Sequence, residues 1–479
     1  MKKLFPFKLT SEQEKVFKQL TLFINNPNDK IFILKGYAGT GKTSLMSGLI
    51  KHITKKKKTF CLLASTGRAA KILSDKTGEK AKTIHSKIYS FNKLSQSLEE
   101  LHQKKDKELK ENNLNLLFDL NTIGIKDSNK NIIYIVDESS MIANRKKTED
   151  TSFAKFGDGR LLSDLIKYDK RGKFIFLGDP CQLPPINEET SPALDIEYIK
   201  KNITKNVKER MLYEIKRQNN NNGIIKSSLR IRELYNNNNN DIKWPKLPLR
   251  NSKNIDLVSS ELELVDVYLK LIKKKGLESS TIICQTNKDC RMINSLIRRS
   301  LFSKPDILEV KDLIQVTQNN HNIDLVNGDL ILIKTIGKRE YRCGLIFLEV
   351  EIEEMASGHV FHSFIIEDIL SSDKINLSQE KQKDLMLDYF LRMKEKGIFQ
   401  KTKLFKDLMK VDPYLNAIRG VYGYALSCHK SQGGEWDNVF LYIKKSMYVM
   451  KKPGLYQWWY TAITRAKKKL ITIDEWWIN

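Results

Sequence analysis

The feature that most restricts what this chain can fold into is the run Gly36-Tyr37-Ala38-Gly39-Thr40-Gly41-Lys42-Thr43, which follows an apolar, β-branched stretch at residues 31–34. It fits G-x-x-x-x-G-K-T in the strand, loop and helix setting that the pattern requires. Gly36, Gly39 and Gly41 let backbone N–H groups turn inward around phosphates, and a following helix directs its positive end at them. Lys42 is spaced to reach the β and γ phosphates, Thr43 to place its hydroxyl on Mg²⁺, and Thr40 and Ser44 complete the phosphate-binding run. The expected ligand is ATP with Mg²⁺.

Apolar runs recur at residues 60–63, 132–136 and 174–177, each separated by helix-like sequence, and a second set appears at 281–283, 439–443 and 470–473. Near-continuous apolar strands between helices read as parallel sheets covered on both faces. At 479 residues the chain is too long for one core. Two α/β lobes are therefore expected. The run 132–136 ends in Asp137-Glu138, so a buried strand delivers two acids at its carboxyl end, where ligands bind in open α/β sheets. Asp137 is suited to hold Mg²⁺ through its water shell and Glu138 to deprotonate an attacking water.

A formal net charge of +26 would attract a polyanion and hold it through phosphate contacts. Asparagine runs such as 236–240, with abundant lysine and isoleucine, also fit an AT-biased genome that raises lysine regardless of use. Six scattered cysteines carry no metal-ligand spacing and read as reduced thiols. No apolar run nears the roughly 18 residues that span a bilayer, so a cytosolic address without membrane contact is expected.

Further motifs follow in order: Leu9-Thr10-Ser11-Glu12-Gln13, Ala64-Ser65-Thr66-Gly67-Arg68-Ala69-Ala70, Thr83-Ile84-His85, Gly178-Asp179-Pro180-Cys181-Gln182, Lys216-Arg217-Gln218, His429-Lys430-Ser431-Gln432-Gly433-Gly434-Glu435 and Ala462-Ile463-Thr464-Arg465-Ala466. With the phosphate loop and the acid pair, this order resembles the superfamily 1 helicases of the RecD and Dda branch. The resemblance covers residues 9–87, 131–218, 281–300 and 420–473. It implies two RecA-like P-loop lobes, at residues 1–88 with 131–204 and at 205–326 with 416–479. A pin-like insert would occupy 89–130, and a small SH3-like β-barrel with a charged arm 327–415.

By the same resemblance, Gln13 would read the adenine edge, although Thr10-x-x-Gln13 is also a capping box that simply starts a helix. Gln182 would end a strand as a γ-phosphate sensor, and Gly434 with Glu435 would meet the nucleotide from the second lobe. Arg217 and Arg465 resemble arginine fingers, while the lysines after Arg465 equally suit a basic helix end. Thr66, Arg68, Thr83, His85, His429, Lys430 and Ser431 match positions that hold a DNA backbone. The implied activity is ATP-driven travel on single-stranded DNA, 5′ to 3′, with duplex unwinding at single-strand junctions and little sequence preference. Replication or recombination proteins are the implied partners, and a monomer the expected state. The charged stretch 97–112 departs from a neat pin hairpin, and Trp458-Trp459 suits core packing better than base stacking.

Overall fold

A computed structural model describes residues 4–94, 98–99, 118–122, 131–146, 154–214, 222–237, 242–320, 322–372 and 376–479. In the first lobe six parallel strands stand in the order Ala81–Thr83, Phe60–Ala64, Ile133–Asp137, Lys173–Gly178, Ile31–Gly36, Val207–Leu212. Alternation sends successive side chains to opposite faces. Phe32, Leu34, Ile133 and Ile135 share one core with Leu20 and Leu45, while Ile31, Ile33, Tyr134 and Val136 share the other with Leu162 and Leu165.

The two helices before and after the first strand begin differently. Ser11–Asn25 starts at Thr10 with a complete capping box. Lys42–Lys55 starts at Gly41, which is left-handed and gives no side-chain cap, so the N–H groups of its first turn stay open to an anion.

The second lobe is again parallel, in the order Ile255–Val258, Ala466–Ile473, Trp436–Tyr442, Ser280–Cys284, Ala425–Ser427. Val439 and Leu441 face one core and Phe440 and Tyr442 the other. The first of these cores also takes in Tyr37, Cys181 and Leu183 from the first lobe, so the lobes are joined by apolar contact beneath the phosphate loop. Trp458 and Trp459 are both buried there, as their packing use requires.

Three expected boundaries move. Val207–Leu212 pairs in parallel with Ile31–Gly36, so the first sheet continues past residue 204. Its edge position hides it in the sequence: burial alternates along Val-Lys-Glu-Arg-Met-Leu instead of being continuous. The expected barrel at 327–415 takes the form of a five-stranded antiparallel sheet, Val360–Ile366, Leu345–Glu354, Leu330–Arg342, Leu313–Val316, Gly420–Tyr422. Two of its members, Leu313–Val316 and Gly420–Tyr422, lie beyond the expected limits, because apolar runs so short carry no sign of which sheet they join. A single bridge, Ile365 to Ile418, links one edge of that sheet to the chain before Gly420.

The insert after residue 88 is a sheet of Tyr89–Leu94, Phe118–Thr122 and Ala154–Phe156. The first two strands are antiparallel, and the third is contributed from beyond residue 130. The charged stretch 97–112 lies outside the described residues apart from Leu98 and Glu99. In the arm, the helices Gln379–Glu395 and Lys403–Val411 pack through Tyr389, Phe390 and Phe405, together with Leu98. Among the described residues no helix is long and apolar enough to cross a membrane.

Candidate active site between the lobes

Adjacent strands of the first sheet end together, which brings three loops to one place: the glycine loop after Ile31–Gly36, Asp137-Glu138 after Ile133–Asp137, and residues 179–183 after Lys173–Gly178. Gly39 and Gly41 both take φ of +82°, a region that L side chains rarely occupy. A Cβ at Gly36 would lie 2.7 Å from Thr40 Oγ1, which donates to Tyr37 O at 2.9 Å. Lys42 bends its amine back over the loop, donating to Gly36 O at 2.5 Å and Tyr37 O at 3.1 Å. Gln13 is buried; its Nε2 donates to Thr40 O at 3.0 Å and its Oε1 accepts from Thr10 N at 3.1 Å. One amide thus closes the capping box and braces the phosphate loop. Ser44 lies exposed in the first turn of the following helix.

Thr43 Oγ1 stands 3.4 Å from Asp137 Oδ2. A hydroxyl and a carboxylate beside a glycine cradle form the oxygen donor set that suits Mg²⁺. Glu138 follows at φ +50°, a strained setting for a non-glycine residue. Burial, and then the neighbouring Asp137 charge, push its carboxyl above the ordinary glutamate value, against the pull of Arg465 and Lys42. Asp179 is also raised by burial, and is drawn back by the same two cations. Lys42 of the first lobe and Arg465 of the second therefore act on the same two acids, which places them at one cleft.

The second lobe's wall is the helix Gly454–Ile463 and the turn after it. Tyr460 is buried; its hydroxyl donates to Asp179 Oδ2 at 2.9 Å and accepts from Ala38 N at 3.0 Å. Thr461 Oγ1 accepts from Leu183 N at 3.0 Å, and Gln457 Nε2 donates to Gln182 O at 3.2 Å. Gln457, Tyr460 and Thr461 share one helix face, which lies along the 179–183 loop. Gln182 sits in that loop rather than at the strand's end, which is Gly178, and its Oε1 is buried with no hydrogen-bond partner among the described residues. Arg465, 4% exposed, donates to Thr461 O at 3.0 Å and Gly434 O at 3.3 Å. Glu435 is exposed. Arg217 lies outside the described residues.

The residues expected on a DNA backbone are not all free to meet one. Thr66 and Thr83 each cap a helix, accepting from Ala69 N and Ser86 N. His85 packs in an aromatic group with Tyr89 and Phe156. His429 and Lys430 are half-buried, and burial lowers the pKa of both. Ser431 is fully buried and donates to Cys428 O at 2.8 Å, which takes it away from any strand: a hydroxyl on the inner side of a short helix satisfies its own backbone. Arg68 is half-buried against the second lobe, with its guanidinium 4.5 Å from the Trp436 ring centroid.

Asp179, Tyr460, Gln457 and Trp436 belong to the site although no role was expected of them. The signal in the sequence was the polar set 457, 460, 461 and 464 at helical spacing in an otherwise apolar run.

A family model described as AAA domain matches residues 8–240, and one described as UvrD-like helicase C-terminal domain matches residues 422–473. The chain is 26% identical to the uncharacterized protein MJ1519 of Methanocaldococcus jannaschii, over 97% of this chain and 38% of that protein, so it spans well under half of that relative's length. It is 24% identical to the uncharacterized protein R530 of Acanthamoeba polyphaga mimivirus, over 96% of this chain and 98% of that one. Among solved structures, Pif1 helicase from Bacteroides in complex with ADP-AlF3 and ssDNA aligns with a TM-score of 0.46 at 17% identity, over 97% of this chain and 92% of that one. An AAA domain at residues 8–240 followed by a UvrD-like helicase C-terminal domain at residues 422–473 makes this chain similar to helicases built on the P-loop fold.

Proposed function

We propose that the chain hydrolyses ATP to move along single-stranded DNA from 5′ to 3′ and to open duplex at a junction, with little regard to sequence. The observation that carries this reading is that Lys42 and Arg465, on different lobes, bear on the same carboxylates, Glu138 and Asp179. A nucleotide held there touches both lobes, so its binding favours closure and its cleavage releases it. The open N–H groups of Gly41 to Thr43 and the Lys42 amine would hold the phosphates; Lys42 exchanges two loop carbonyls for phosphate oxygens. Thr43 and Asp137 would hold Mg²⁺, which neutralises charge between phosphate oxygens. Glu138 takes the proton of the attacking water. Its raised pKa brings its basicity nearer to neutral pH, where a general base works best.

The net charge of +26 and the half-buried His429 and Lys430 at the end of the strand Ala425–Ser427 support a phosphate-reading track across the lobes. The pin-like sheet at Tyr89–Leu94 and Phe118–Thr122 is the proposed separating element, and the working unit is a monomer.

ATP turnover measured with excess single-stranded DNA, excess single-stranded RNA or neither tests the substrate. The expected result is strong stimulation by DNA, abolished in Lys42→Ala. Equal or greater stimulation by RNA would make this an RNA-directed motor, and turnover indifferent to both would reject the motor reading.

A further inference from the structure

Arg68 lies on the helix Gly67–Thr77 of the first lobe, yet its side chain belongs to the interface with the second. Its guanidinium stacks on Trp436, which is 3% exposed. A Cβ built at Gly434 would stand 2.9 Å from Arg68 Cζ, and the carbonyl of the same Gly434 accepts from Arg465 Nη1 at 3.3 Å. Two guanidiniums from opposite lobes thus bracket one glycine, and the missing side chain is what allows their approach.

Among the described residues, neither is paired with an acid at short range. Arg465 spends its donors on Thr461 O, Gly434 O and Thr464 Oγ1, which are all uncharged. Arg68 Nη1 is buried with no hydrogen-bond partner among the described residues. Asp329, the acid that most favours its charge, is itself paired with Lys71 at 2.7 Å. Burial, reinforced by the repulsion of Arg465, pulls the Arg68 pKa down to about 10. A buried cation is retained at such a cost where an anion completes it.

We infer that Arg68 and Arg465 form a two-sided oxyanion site for the terminal phosphoryl group of the nucleotide, with Arg68 supplied from the first lobe instead of being laid along the DNA strand. The inference rests on the nucleotide reading of the cleft. The shared chemistry is a phosphate oxyanion, and its source is the nucleotide rather than a phosphodiester, because Arg68 is held inside the lobe interface beside the residue that bears on Glu138 and Asp179. On phosphate binding, the unused Nη1 donor gains its acceptor and the repulsion between the arginines becomes joint attraction. Both changes favour closure.

The test compares the full chain with Arg68→Ala, Arg68→Lys and Lys42→Ala. Three quantities are read: ATP turnover at saturating single-stranded DNA, DNA affinity by fluorescence anisotropy without nucleotide, and trapping of ADP by aluminium fluoride as the phosphoryl mimic. Arg68→Ala is expected to lower turnover by about 10³-fold, as removal of a phosphate-facing arginine does, and to abolish trapping, while nucleotide-free DNA affinity stays near the parental value. Arg68→Lys, which keeps the charge but not the planar fork, should fold with the parental melting temperature and remain deficient in trapping. Loss of DNA affinity with unchanged turnover at saturation would give the arginine to the strand and overturn the inference, as would normal turnover and trapping in both Arg68 variants. Near-normal turnover in Lys42→Ala would instead remove the nucleotide reading itself.

Discussion

Glu138 carries the cost of the site in one residue: a left-handed backbone and a half-buried, desolvated carboxyl near the charges of Asp137 and Asp179. Because its folded pKa lies above the unfolded value of 4.5, the folded chain holds a proton that the unfolded chain gives up. Stability from this residue is therefore intact below the unfolded pKa and is lost as pH rises through the folded one. Glu138→Gln should melt at a higher temperature than the parent at neutral pH, with the gap closing on acidification through the carboxylate range, while ATP turnover falls by about 10² to 10⁴. Thermal melts across pH together with an ATPase assay check both halves. A variant that melts lower at neutral pH would mean that the carboxylate supports the fold.

The loop residues were legible at this scale because backbone geometry dictates them: only glycine suits φ of +82° at positions 39 and 41. Arg68 was not, since its partners Trp436 and Gly434 are far away in the chain and join it only when the lobes meet. Ser431 and His85 show the same limit. Their residue types suit phosphate contacts, but burial takes Ser431 inward and ring packing engages His85, and a motif records neither.

At the scale of elements, continuous apolar runs announced the central strands of both sheets, because a strand covered on two faces has no polar side to show. Other strands carry weaker signals: Val207–Leu212, at an edge, alternates, and Leu313–Val316, between two neighbours, is very short, so neither shows in sequence which sheet it joins. Trp458-Trp459 reads in sequence as core, but the polar stripe of the helix Gly454–Ile463 gains its meaning only from the contact with the 179–183 loop. Tyr460→Phe keeps its packing and removes only the hydroxyl, leaving Ala38 N–H without its acceptor and Asp179 Oδ2 without its donor. A loss of about 1–3 kcal/mol in unfolding free energy follows from such orphaned groups, with a rise in the KM for ATP because the phosphate loop loses a brace from the second lobe. Denaturant melts and steady-state ATP kinetics check it. Unchanged KM with lowered stability would make Tyr460 purely structural.

For the whole molecule, several links cross between units. The core beneath the phosphate loop is shared by both lobes, and Lys71 of the first lobe pairs with Asp329 and Glu354 of the five-stranded sheet. Leu98 of the insert joins the core of the helical arm. A change at the nucleotide thus has direct routes to the sheet and arm that flank the proposed strand track. Strand displacement on duplexes with a single 5′ or 3′ tail tests the central claim most directly, that one nucleotide between two lobes drives the chain along DNA. The expected result is ATP-dependent opening of the 5′-tailed duplex, no opening of the 3′-tailed one, and none of either by Lys42→Ala or Arg465→Ala. Opening of neither duplex by the parental chain during active ATP turnover, or undiminished opening by Arg465→Ala, would contradict it.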